Sequence, residues 1–274
     1  MNGMGAAGEI VVTGLHVYPI KSCGGTSLAR AEIGPRGIRH DREFMIVEAG
    51  SGEMLTQREL PRMALIRPTV GEGTLRVEAP GMPAVEVAPV AEGDERAVTV
   101  WRDTCRAVDQ GDEIGGWLSE FLGSDVRLMR MADDEVRPVD PAYATGERDQ
   151  VGFADGYPFL LISEESLVDL NGRMAEPLPM NRFRPNIVVA GGDEPYLEDS
   201  WQRIRIGAIA FRVAKACARC AIPTTDQATA TRGKEPLTTL ATYRKGERGV
   251  LFGQNLIQDE AGTIAVAERV VVIA

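Results

Sequence analysis

Apolar, β-branched runs in this chain are short and closely punctuated. After IVVTGLHVYPI at residues 10–20 come REFMIVEA (42–49), TLRVEA (74–79), AVEVAPV (84–90), RAVTVWR (96–102), CRAVD (105–109) and VRLMRM (126–131). Each has strand length, apolar and polar side chains tend to alternate, and Gly, Pro or Asp separates one run from the next. Such spacing predicts an antiparallel sheet or barrel rather than a βαβ series.

One amphipathic helix interrupts the strands. DEIGGWLSEFLG (112–123) sets Ile114, Trp117, Leu118, Phe121 and Leu122 at helical spacing, with Asp112 as cap and Gly123 as stop. The following ADDEVRPVDPAYATGERDQVG (132–152) has few large apolar residues and reads as a linker or long loop, so the domain boundary is expected there, between 8–131 and 132–274. Beyond it, FADGYPFLLI is strand-like and SEESLVDLNGRM is a helix that Ser163 can cap. Strands are expected at 186–191, 203–207, 208–216 and in the closing ERVVVIA, with a helix near 237–244. The fold class is therefore α+β and β-rich.

The 274 residues suffice for one large or two modest domains, and 44% apolar with 26% charged residues is ordinary globular composition. A formal charge of −10 argues against a broad nucleic-acid or anionic-membrane surface, so any anion site must be local. With no export-like leader and no apolar stretch near the roughly 18 residues of a membrane span, a cytoplasmic protein is expected.

Two of the four cysteines lie three apart, in AKACARCAIPTTDQ (214–227). Zinc would need a second ligand pair, and His16 and His40 are remote in sequence. A thioredoxin-type pair belongs at a helix N-terminus in a βαβ unit, whereas this one follows a strand and precedes Pro223. Buried packing of free thiols remains open, as does thiolate chemistry, for which Arg219 beside Cys220 supplies a cation. Thiolate suits a soft or transition metal. In YPIKSCGG (18–25), Lys21 and Ser22 open a turn in which Gly24 and Gly25 could admit an anion. Arg182, Arg184 and Asn186 flank the mouth of the strand at 187, and Arg42 is similarly placed at another. Together these are an inventory for an anionic cofactor beside a metal; a solvated turn and solvated arginines are the plain alternative.

YPIKSC, HDREFMIV, FADGYPFLLISEESLVDLN, NRFRPNIVV, EDSW, CARC, LFGQN and GTIAVAERVVV, in that order, resemble the MOSC family. The arrangement is that of amidoxime-reducing components and their bacterial relatives: an N-terminal β-barrel domain, then a MOSC β-barrel domain with peripheral helices, with the cofactor between them. The resemblance implies a molybdenum cofactor (Mo-molybdopterin) whose protein ligand is Cys220, with Cys217 as a neighbour. It also implies cofactor contacts from Lys21, Ser22, Arg42, Asp155, Arg184, Asn186, Ala218, Arg219 and Asn255. Asn255 stands where animal relatives carry tyrosine, Tyr157 replaces a small polar residue, and DQATA (226–230) departs from the family pattern; these border the expected substrate face. The implied activity is reduction of N-hydroxylated compounds (amidoximes, hydroxamic acids, N-hydroxylated bases). Electrons would come from a separate iron–sulfur or cytochrome b5-like protein with its reductase, because no cluster-binding cysteine set is present. The alternative is a carrier of the cofactor or of a cysteine persulfide.

Overall fold

A computed structural model describes residues 9–146 and 149–274. In the first half the strands are β1 (Val11–Val17), β2 (Thr26–Leu28), β3 (Arg30–Gly34), β4 (Gly37–Ile38), β5 (Phe44–Glu48), β6 (Arg67–Gly71), β7 (Thr74–Glu78), β8 (Val85–Val87), β9 (Glu95–Val100), β10 (Asp103–Asp109) and β11 (Val126–Met131). In the second they are β12 (Phe159–Ser163), β13 (Ile187–Ala190), β14 (Arg203–Ile206), β15 (Ile209–Ala218), β16 (Lys245–Gly246), β17 (Gly249–Gln258), β18 (Gly262–Ala265) and β19 (Val270–Val272). With helices α1 (Asp112–Leu122), α2 (Glu164–Gly172) and α3 (Leu237–Leu240), the protein is β-rich α+β, as its punctuated strands predict.

The largest sheet runs β19–β14–β15–β17–β12–β13–β1–β2, with β16 beside β17. It curls until its ends meet: Val12 N donates to Glu268 O (2.9 Å), Ala267 N to Val12 O (2.8 Å) and Val270 N to Ile10 O (2.8 Å). Inside the curl lie Leu15, Phe159, Leu161, Ile187, Ile204, Phe211 and Leu256, all buried, and Phe159 meets Phe211 edge to face at 5.3 Å. The antiparallel expectation fails at one pair, because β12 runs parallel to β13. A parallel pair needs a crossover, and α2, with Ser163 Oγ accepting from Ser166 N at its start, supplies it.

A second layer pairs β5–β11–β10–β9 and β6–β7–β8. Together with α1 it encloses Ile20, Phe44, Ile46, Met63, Leu75, Trp117, Leu118, Phe121 and Leu128. The α1 face predicted from spacing is the buried one, and Gly123 stops the helix at φ 69°. Its start differs. Gly111 occupies the cap position and Asp112 is the first helical residue, its carboxylate accepting from Arg127 Nη1 at 2.7 Å. Around 237–244 the helix is one turn long, shorter than predicted.

The described residues of 132–152 (132–146 and 149–152) are tied into the structure despite their polar composition. Val139 and Val151 pack with Ile257 in a small buried cluster. Arg137, itself buried, donates to the carbonyls of Gly152 (2.9 Å), Ala154 (2.6 Å) and Asp155 (3.3 Å) and pairs with Asp103 (2.7 Å). An internal arginine does here what apolar side chains do elsewhere: it fixes the loop by satisfying carbonyls that would otherwise be buried unmet.

Arg137→Ala removes those donors together, and loss of about 2–4 kcal/mol is expected. Urea unfolding reads this as a lower midpoint at unchanged slope; an unchanged midpoint would mean that the loop is held by other contacts.

Candidate active site

A cavity of about 230 Å³ opens beside the barrel where the turn after β1, the segment leading into β5, the 154–157 loop and the end of β15 converge. Lys21, Ser22, Arg42, Asp155, Arg184, Asn186, Ala218, Arg219, Cys220 and Asn255 all line it, although they come from six separate stretches of chain. Arg182 does not; it turns away to bond Pro223 O (3.1 Å) and Asp226 (3.0 Å). Gly24 and Gly25 have a packing reason in place of the predicted anion contact. A Cβ at Gly24 would stand 2.8 Å from Ile66 O, and one at Gly25 would stand 2.4 Å from the Tyr18 ring.

Five cations share this cavity: Lys21, Arg42, Arg58, Arg184 and Arg219. Tyr18 separates two of them, its buried ring lying 4.2 Å from the Arg42 guanidinium carbon and 4.3 Å from that of Arg184. Arg42 also donates to Asp41 (2.6 Å) and to Asn186 Oδ1 (3.2 Å). Arg184 donates to Cys23 O. Burial, with Arg42 close by, brings the Arg184 guanidinium down to about 10, while burial pushes the Tyr18 phenol up to about 12. Asn186 spends its amide internally, accepting from Leu160 N (3.2 Å) and donating to His16 O (3.2 Å), so it braces Arg42 and the strand mouths. Ser22, Arg42 and Arg184 hold left-handed φ of 63°, 46° and 57°. Such strain in three lining residues persists only where surroundings impose it, and it concentrates at functional sites.

Lys21 Nζ donates to Phe153 O (2.8 Å) and Asp155 Oδ1 (2.6 Å). Lys21 is buried, while the Asp155 side chain is 60% exposed to the cavity. Burial lowers the Lys21 ammonium. Partial desolvation at the cavity wall would raise the Asp155 carboxyl, but Lys21, Arg58 and the Trp101 indole N–H (3.2 Å) hold it below the usual carboxylate range. The loop carrying Asp155 crosses the 41–42 turn closely: Phe153 N donates to Arg42 O at 2.7 Å, and a Cβ on Gly152 would stand 2.9 Å from that oxygen. Only glycine fits there.

Register shifts in the β15–β17 pair, between Val213 and Lys215 and between Ala216 and Ala218, carry β15 to the cavity with Cys217 and Cys220 at its end. Both thiols are half-buried and free. The Arg219 guanidinium, predicted from sequence adjacency to support Cys220, instead donates to Cys217 Sγ (3.2 Å) and Phe183 O (2.7 Å). Two guanidinium nitrogens in the cavity wall, Arg184 Nη2 and Arg219 Nε, are buried without a partner among the described residues.

Residues 9–125 match the MOSC N-terminal beta barrel domain and residues 148–271 the MOSC domain. Mitochondrial amidoxime-reducing component 1 of Homo sapiens is 34% identical over 94% of this chain and 82% of its own. Mitochondrial amidoxime reducing component 2 of Rattus norvegicus is 33% identical over the same shares. The chain belongs to the MOSC family. Molybdenum cofactor sulfurase of Danio rerio is 33% identical over 91% of this chain, which spans 32% of that longer relative. Among the described residues no helix is long and apolar enough to cross a membrane.

Three residues of the MOSC cavity escaped the sequence reading. Arg58 lines it, Trp101 flanks it with its ring 4.3 Å from the Arg58 guanidinium carbon, and Tyr18 lies beneath it. YPIKSC contains Tyr18, so its proximity to Lys21 was visible. Arg58 and Trp101 carry no local signal, because tertiary structure alone brings them to Asp155.

Because the Asp155 carboxyl is held below its ordinary 3.8, its contribution to stability is complete above that value. It fades as pH falls toward the lower folded value. Asp155→Asn is expected to lower the thermal midpoint most near neutral pH, the gap narrowing below about pH 4. A gap of constant size down to about pH 2 would exclude this ion pair as its source.

Proposed function

We propose that this protein is a molybdenum-cofactor-dependent oxidoreductase reducing N-hydroxylated compounds (amidoximes, hydroxamic acids or N-hydroxylated bases) with electrons from a separate carrier protein and its reductase. One observation carries the reading: in a chain of net charge −10, five cations and two thiols meet in one cavity. Two guanidinium nitrogens in its wall lack partners among the described residues. That donor set fits a group bearing phosphate and a thiophilic metal. The relatives named as amidoxime-reducing components support the substrate class.

In this reading Cys220 is the metal ligand. Arg42 and Arg184 neutralise the phosphate, with Lys21 and Ser22 at the same end and Asp155 and Asn186 ordering the cationic wall. Ala218 and Arg219 form the backbone leading to the ligand. The cofactor, when bound, supplies two-electron oxygen-transfer chemistry. Phe159, Leu160, Phe183 and Ile222 limit water in the cavity, and Tyr157 and Asn255 border the substrate face. Tyr157 suits that position as a neutral hydroxyl, because burial raises its phenol far above neutrality. A cytoplasmic location belongs to the same proposal.

A carrier role is the second reading, favoured by the Arg219–Cys217 contact and by the sulfurase relatives. A second thiol with its own cation suits a persulfide.

Molybdenum and released pterin, measured per chain on protein from a cofactor-producing host, are expected near one in wild type and near zero in Cys220→Ser. Molybdenum-loaded wild type with a competent reductant is then expected to reduce an amidoxime. Sulfane sulfur on a pterin-free wild-type protein would establish the carrier reading and overturn the reductase.

A further inference from the structure

Behind the turn that carries Lys21 and Ser22 to the cavity lies a pair of amides with no part in the site described so far. Gln57 and Gln227 are 0% and 4% exposed, and neither lines the cavity. They bond each other twice: Gln57 Nε2 donates to Gln227 Oε1 (3.1 Å) and Gln227 Nε2 to Gln57 Oε1 (2.9 Å). Each amide then has one further bond. Gln227 donates to Thr225 O (3.0 Å), inside its own loop. Gln57 donates to Ser22 O (2.7 Å), in the cavity wall.

Ser22 holds a left-handed φ of 63°, a conformation that a residue other than glycine keeps only when its surroundings impose it. Its carbonyl accepts from Gln57 and from no other group among the described residues. Because Gln57 is buried outside the cavity lining, that carbonyl points into the protein. On the same peptide Cys23 N donates to Ile20 O (3.1 Å), so both ends of the peptide are fixed. Rotation of this peptide would turn its oxygen toward the cavity. Anion-binding turns present N–H groups, and a carbonyl dipole in their place repels the ligand.

We infer that Gln57 is a positioning residue for anion binding: it fixes the Ser22–Cys23 peptide so that the turn meets a phosphate group with no opposing carbonyl, and Gln227 fixes Gln57. The choice of phosphate rests on the reading of the cavity proposed above. Positioning separates from general packing because the two glutamines differ in one contact. Methionine, close in shape, removes the amide pair at either position, but only Gln57→Met also releases Ser22 O. The main chain at 57–58 keeps its own anchor in both variants, since Arg232 Nη2 donates to the carbonyls of Gln57 (2.6 Å) and Arg58 (2.9 Å).

Inorganic phosphate alone is the probe, titrated calorimetrically into the full chain from a host that makes no molybdenum cofactor. Wild type is expected to bind it, Gln57→Met about tenfold or more weakly, and Gln227→Met within about threefold of wild type. Urea midpoints are expected to fall in both variants. Gln57→Leu removes the same donor and replaces Gln57→Met if that chain does not fold. The inference is overturned if wild type binds no phosphate, if loss of the Gln57 amide leaves affinity unchanged, or if both positions weaken binding alike, which is general loosening. Failure of the oxidoreductase reading looks different: wild type from a cofactor-producing host carries no pterin, while the phosphate affinities keep their order.

Discussion

Confining five like charges to one cavity is the constraint on which this structure turns. Lys21, Arg42, Arg58, Arg184 and Arg219 would repel one another strongly at low dielectric, and each is provided with a separate compensation. The Tyr18 π-faces receive two guanidinium groups, Asp41 holds Arg42, Asp155 holds Lys21, Trp101 receives Arg58, and main-chain carbonyls of Cys23, Phe153 and Phe183 take further N–H donors. Part of the capacity is left over. The unmet nitrogens of Arg184 and Arg219 leave donor capacity in the wall that no group among the described residues takes up.

That compensation explains the surrounding architecture. Asp155 can reach Lys21 only because Arg137 pins its loop and Gly152 lets the loop pass against the turn at Arg42. Arg42 and Arg184 can share one tyrosine only because both accept left-handed backbone. Fold and site are therefore not separable layers: barrel strands, buried arginine and strained turns serve one electrostatic arrangement.

Much of this was legible in the sequence, for reasons that can be named. Short punctuated strands and the α1 face depend on local periodicity, and the structure agrees with both. The ordered motifs gathered ten residues that all line one cavity, because segments flanking β1, β5, β12, β13 and β15 and the middle of β17 meet there. Longer-range relations were not legible. The parallel β12–β13 pair depends on α2 crossing over, the anchoring of Arg137 depends on its finding four partners, and Arg219 reaches past its neighbour Cys220 to Cys217.

The closure of the large sheet has a consequence for how the chain is made. β1 pairs with β13, and residues 10–12 bond the segment 267–270 near the other end of the sequence. A ribosome adding about 5–20 residues per second needs on the order of tens of seconds between the first strand and its last partner. Throughout that interval Val12, Leu15 and Val17 have no completed barrel to enter. Until residues 267–270 are made, β1 is thus a waiting edge.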